Sequence, residues 1–180
     1  MLKLILNKKY NPLFESDARY FIVTGGRGSG KSFAVSVFLT LLTMSANIRI
    51  LFTRFTMVSA HLSIIPEFLE KISLLGFDNL FAVNKAEVVN LGNKSDILFR
   101  GIKTSAGNQT ASLKSLQGIS CWVLDEAEEL IDEDIFDTID LSIREKDVQN
   151  RIILILNPVT KEHWIYQRFF QDKGVEAGFN

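Results

Sequence analysis

Tyr20-Phe21-Ile22-Val23-Thr24 runs directly into Gly25-Gly26-Arg27-Gly28-Ser29-Gly30-Lys31-Ser32. The first five residues are a short β-rich run, the next six a glycine cluster, and Ser32 to Ala46 continue with apolar residues on nearly every face. This is the pattern of a buried strand, a tight loop and a buried helix. The loop satisfies G-x-x-x-x-G-K-[ST] in the context that motif requires. Glycines let backbone N–H groups turn inward around an anion without Cβ clashes, and the helix N-terminus adds free donors and the positive end of its dipole. Gly25, Gly26, Arg27, Gly28, Ser29, Gly30, Lys31 and Ser32 are therefore the expected phosphate cradle, with Lys31 reaching the β- and γ-phosphates and the Ser32 hydroxyl on Mg²⁺.

Outward from this loop the chain alternates. Ile48–Thr53 reads as a second strand, and Val58–Leu75 has helical spacing closed by Gly76. Glu87–Leu91 and Ile97–Ile102 flank Gly92-Asn93-Lys94-Ser95 as an antiparallel hairpin inserted between parallel units. Residues 103–118 are polar, rich in small residues and expected to form a structureless working loop. Cys121–Leu124 (CWVL) is a strand, Asp132–Ile143 a helix, Ile152–Leu156 (IILIL) a strand and Lys161–Phe170 a last helix. The expected fold is α/β, a mostly parallel sheet sandwiched by helices, in one domain over residues 1–180.

Asp125-Glu126 follows CWVL. A carboxylate at a strand's C-terminal edge can hold the metal through water, which assigns Asp125, and an adjacent acid can orient and deprotonate water, which makes Glu126 the general base. Glu128, Glu129, Asp132, Glu133 and Asp134 read as helix-cap charges. Asn157, just past IILIL, has an amide able to sense the γ-phosphate or the attacking water, although Asn-Pro is also a common turn start. Arg27 can neutralise charge on the transferring phosphoryl group. Tyr10, Arg19 and Tyr20 are candidates for the nucleotide base, with no choice among them.

Composition sets the limits. In 180 residues, 47% are hydrophobic, which supports one sizeable core and excludes a disordered tail. The lone Cys121 forms no internal bridge, and there is no leader or run of about 18 apolar residues, so a cytosolic protein without a membrane span is expected. Net charge is −1, but residues 1–100 carry 12 Lys+Arg against 7 Asp+Glu and residues 101–180 carry 8 against 14. That asymmetry permits a local basic face. His61 and His163 lack partners at metal-ligand spacing, and Trp122, Trp164 and Cys121 read as core.

GGRGSGKS with RYFIV before it, LDEAEEL downstream and LNPVTKEHWIYQRFF after that resembles the ATPase domain of large terminase subunits from tailed bacteriophages, over most of residues 10–170. The resemblance implies a P-loop NTPase of the additional-strand, catalytic-glutamate class, in which the strand before Asn157 lies between those before Gly25 and Asp125. It implies Mg²⁺-dependent ATP hydrolysis that drives double-stranded DNA into a viral procapsid. The partners it implies are a portal protein, a small terminase subunit and further copies in a homo-oligomeric ring, in the host cytoplasm. A basic residue from a neighbouring subunit often completes such sites, which nominates Lys114; Arg54 matches a recurrent basic position without a derivable role. Such subunits carry a nuclease domain after the ATPase domain, so the chain is expected to be the N-terminal part of a longer one, without nuclease activity. Two other readings stay open: a helicase or recombination ATPase of the same fold, and a nucleotide-gated binding module with negligible hydrolysis.

Overall fold

Every residue of Ile119–Asp125, and all but the first of Arg151–Leu156, is buried, as expected of strands covered on both faces. The computed structural model describes residues 4–45, 47–57, 62, 64–104, 107–108, 113 and 115–175. Its strands are β1 (Tyr20–Thr24), β2 (Arg49–Thr56), β3 (Phe81–Val83), β4 (Glu87–Asn90), β5 (Asp96–Thr104), β6 (Gly107–Asn108), β7 (Ile119–Asp125) and β8 (Arg151–Leu156). The α-helices are α1 (Pro12–Glu15), α2 (Lys31–Ser45), α3 (Ile64–Leu74), α4 (Glu133–Asp140) and α5 (Trp164–Tyr166).

One sheet has the order β1-β8-β7-β2-β5-β4-β3, with β6 beside β5. β1, β8, β7, β2 and β5 run parallel; β4, β3 and β6 are antiparallel to their neighbours. Side chains alternate across it. Ile50, Phe52, Cys121, Val123, Ile153 and Ile155 face α2 and α3. Leu51, Trp122, Leu124, Ile152, Leu154 and Leu156 face α4 and α5, where the Phe136 ring lies 5.1 Å from Trp122 and 4.8 Å from Trp164. Each fully buried aliphatic side chain contributes roughly 1.5–3 kcal/mol, so the two layers hold the central strands firmly. Burial pushes the Cys121 thiol up to about 12, against the pull of Arg151.

The helix that starts at the glycine loop is held at both ends. Tyr10 donates its hydroxyl proton to the Ser29 carbonyl (2.9 Å) just before α2. At the other end, the amides of Asn90 and Asn93 both donate to the Thr43 carbonyl (3.1 and 2.8 Å), which the end of a helix leaves without an intrahelical donor.

Several expectations need correction. The hairpin pairs as expected, β4 antiparallel to β5, but it is more than an insertion: β5 is also a parallel member beside β2, and β3, too short to stand out, extends it to a three-stranded meander. The 103–118 segment is not structureless among its described residues. β5 continues to Thr104, Lys103–Thr104 pair with β6, and Leu113 is buried in the second core layer. Leu113 and Leu116 are apolar anchors that the segment's average polarity hides. The helix expected over 58–75 is described from Ile64, and Gly76 at φ +75° closes it with Phe77 N–H bonded to the Ile72 carbonyl (3.0 Å). The last helix is one α-turn followed by a π-helical turn over Gln167–Gln171. No helix among the described residues is long and apolar enough to cross a membrane.

Candidate functional site

Parallel pairing brings the C-terminal ends of β1, β8, β7 and β2 to one edge of the sheet, where ligands bind in open α/β folds. Gly25, Asn157, Asp125 and Arg54 stand at those four ends, Arg54 in register with Asp125. Asn157, Asp125 and Arg54 line a cleft of about 360 Å³ whose walls also include Arg27 to Phe33, Glu126 and Glu128.

The loop makes one wall. Gly28 and Gly30 sit at φ +74° and +84°, values that L side chains adopt only with strain. Ser29 N–H bonds the Gly26 carbonyl (3.3 Å) and Ala34 N–H the Gly30 carbonyl (2.9 Å) as α2 begins. Lys31, 9% exposed, folds back over the loop and donates to the carbonyls of Gly25 and Gly26 (the latter at 3.0 Å) and to Asn157 Oδ1 at 3.3 Å. An ammonium resting on carbonyl oxygens is ready to exchange them for phosphate oxygens.

The acids make the opposite wall. Asp125 ends β7, and Arg54 from β2 meets its Oδ2 with Nε at 2.8 Å and Nη2 at 2.7 Å. Arg54 Nε also lies 3.6 Å from Glu126 Oε2. Glu126 is left-handed (φ 54°, ψ 45°), a conformation uncommon outside glycine that turns the chain sharply off the strand. Partial burial raises its carboxyl above the ordinary glutamate range; Arg54 pulls it back, and Asp125, Glu129 and Glu128 add to the rise. On Arg54 burial acts downward, but Asp125, then Glu126 and Glu67, more than offset it and leave the guanidinium raised and charged.

Sequence reasoning missed two residues here. Arg54 carried no derivable role, because the pairing of β2 with β7 is nonlocal; its only local signal is a basic residue near a buried strand's end. Glu128 is no helix-cap charge: it lines the cleft and accepts from Asn157 Nδ2 at 2.6 Å. Asp132 does cap α4, accepting from Asp134 N–H at 3.0 Å. Lys114 and His61 lie outside the described residues. Of the three base candidates, only Tyr10 reaches the loop. Arg19 and Tyr20 turn their polar ends to Asp140 (2.5 and 2.7 Å) and tie β1 to α4. A second cleft of about 310 Å³, walled by Tyr10, Leu13, Phe21 and Val23, follows the outer edge of β1.

Among the described residues no three His, Cys, Asp or Glu side chains gather into a metal cage. The donor set nevertheless fits Mg²⁺, which takes one or two protein oxygens and completes its shell with water and substrate phosphates. Ser32 and Asp125 supply two such oxygens in one cleft.

A phosphate-type loop facing a strand-end acid pair across β8 defines a P-loop NTPase-like α/β fold. A sequence model of the phage terminase large subunit matches residues 17–178, and the chain belongs to that family. Solved structures agree on the fold. The large terminase of a thermophilic bacteriophage superimposes at TM-score 0.74 with 14% identity, over 94% of this chain and 43% of that one. That protein has also been solved with ATP-γ-S and with ADP. The N-terminal domain of the DNA packaging ATPase of bacteriophage phi29 gives 0.63 and 17%, over 94% and 86%. The large terminase ATPase domain of Thermus phage P74-26 gives 0.58 and 16%, over 87% and 67%. The chain thus spans less than half the length of the thermophilic phage's large terminase. No curated protein sequence matches it.

Proposed function

We propose that this chain is the motor portion of a large terminase subunit, hydrolysing ATP with Mg²⁺ to move double-stranded DNA into a viral procapsid. The observation that carries the reading is the placement of Glu126 and Asp125 across one cleft from the Lys31 loop, with Asn157 between them. The loop N–H groups and the α2 N-terminus take the phosphates, and Lys31 leaves the Gly25 and Gly26 carbonyls for the β- and γ-phosphates. Ser32 and Asp125 would hold Mg²⁺, which when bound would supply positive charge to offset that developing on the phosphate oxygens.

Glu126, ionised, accepts a proton from water as the water oxygen bonds to the γ-phosphorus and the bond to the β-bridging oxygen breaks, giving ADP and phosphate. Arg27, on the exposed rim of the loop, neutralises the transferring group, as does Lys114 if a neighbouring subunit supplies it. The second cleft, beside Tyr10, takes the base. Family membership supports the packaging role, with portal protein, small terminase subunit and a ring of copies as partners and the procapsid in the host cytoplasm as the place.

Glu126→Gln should lower steady-state phosphate release by about 100-fold or more while Mg²⁺-ATP binding persists, and Lys31→Ala should lose binding. Turnover of Glu126→Gln equal to that of the unmodified protein overturns the base assignment. Negligible phosphate release by the unmodified, nucleotide-binding protein favours a nucleotide-gated module instead.

A further inference from the structure

The two ends of the Asn157 amide are chemically opposite, since Oδ1 only accepts hydrogen bonds and Nδ2 only donates. Nδ2 lies 2.6 Å from the Glu128 carboxylate, and Oδ1 lies 3.3 Å from Lys31 Nζ, a group that only donates. Both neighbours therefore demand the same orientation. A flipped amide would set NH₂ against an ammonium and oxygen against a carboxylate.

Glu128 is placed for this by its backbone. The left-handed Glu126 leads into a 3-10 turn over Ala127–Glu129, anchored by Ala127 and Leu130, both fully buried. Trp164 Nε1 donates to the Leu130 carbonyl at 2.6 Å. His163 accepts from Ile165 N–H at Nδ1 (3.2 Å), so its Nε2 carries the proton and donates to the Glu128 carbonyl, also at 3.2 Å. The Glu128 side chain, by contrast, has little to do with holding the turn. Its Oε1 bonds Asn157, and its Oε2 is buried without a protein partner among the described residues.

We infer that Glu128 is a positioning residue that locks Asn157 with its carbonyl oxygen toward the phosphate cleft, so that Asn157 holds the attacking water and does not donate to the γ-phosphate. This rests on the ATPase reading of the cleft. Once Lys31 moves to the phosphates, Oδ1 is left facing the reaction with acceptor capacity only. It can take one hydrogen of the water whose other proton goes to Glu126, while the bond to Glu128 stays in place.

The test is steady-state ATP turnover, with ATP-γ-S binding measured in parallel. Glu128→Ala should lower kcat by about tenfold or more and leave KM and nucleotide affinity within about twofold, the signature of an interaction used only in the transition state. Glu128→Gln, which still offers an acceptor to Nδ2, should stay within about threefold of the unmodified protein. Turnover of Glu128→Ala within twofold of unmodified protein, or an equal loss in Glu128→Gln, overturns the inference.

A second measurement is independent of any variant's folding. In unmodified protein labelled with ¹⁵N-asparagine, the Asn157 side-chain amide protons should keep their hydrogen-bonded shift when Mg²⁺-ATP-γ-S is added; loss of that shift shows the amide flipping and overturns the proposal. If the unmodified protein releases no phosphate, the ATPase reading falls and takes this inference with it. If it hydrolyses ATP while Glu128→Ala keeps pace, only this inference falls.

Discussion

Arg54 grips both acids of the β7 end with one guanidinium, 2.7 Å from Asp125 and 3.6 Å from Glu126. Of the influences on the Glu126 carboxyl, burial and three neighbouring acids push its pKa up and Arg54 pulls it down. On the proposed reading of Glu126 as a general base, which works only when ionised, the acid limb of kcat/KM should report this group in the free enzyme. That limb should lie above the ordinary glutamate range. Arg54→Ala removes the downward pull and should move it to higher pH; a limb that stays in place or moves to lower pH contradicts the coupling. At this scale the sequence was legible where chemistry is local. Lys31, Ser32, Asp125 and Glu126 follow from a contiguous loop and a strand-end pair. Arg54 and Glu128 were not, because what they do depends on a register between distant strands and on a left-handed residue that turns the chain back into the cleft.

Among the elements, β7 and β8 carry the site and are buried almost throughout. Leu154→Ala in β8, at 0% exposure, should destabilise the fold by about 2–5 kcal/mol. Val83→Ala in the edge strand β3, 43% exposed, should stay within about 0.5 kcal/mol. Urea denaturation with unchanged slopes checks both, through the shift in midpoint. CWVL and IILIL were readable as covered strands from their unbroken apolar runs. The second arm of the hairpin has a further role: Ile97-Leu98-Phe99 is equally unbroken, the mark of an interior strand, and it pairs in parallel with β2 as well as antiparallel with β4. β3 and β6 are too short to show a period, and the π-helical turn leaves no compositional trace.

For the whole molecule, the strand order decides which side chains share the cleft, since β8 between β1 and β7 puts Asn157 within reach of Lys31. The site is assembled from residues 126 positions apart in sequence, so an unfolded chain has none of it. Nucleotide should then stabilise by linkage, by about 2.7 kcal/mol at a hundredfold excess over Kd. Thermal unfolding should shift upward with Mg²⁺-ATP-γ-S in the unmodified protein and not in Lys31→Ala; equal shifts in both would place binding elsewhere. That order came from the family resemblance, since apolar patterning reveals strands but not their neighbours.

The tethers at the two ends of α2, Tyr10 on the Ser29 carbonyl and the Asn90–Asn93 pair on Thr43, make that helix a fixed post and leave it unsuited to act as a piston. Displacement on filling or emptying of the cleft then falls to the Lys31 side chain and the glycines ahead of it.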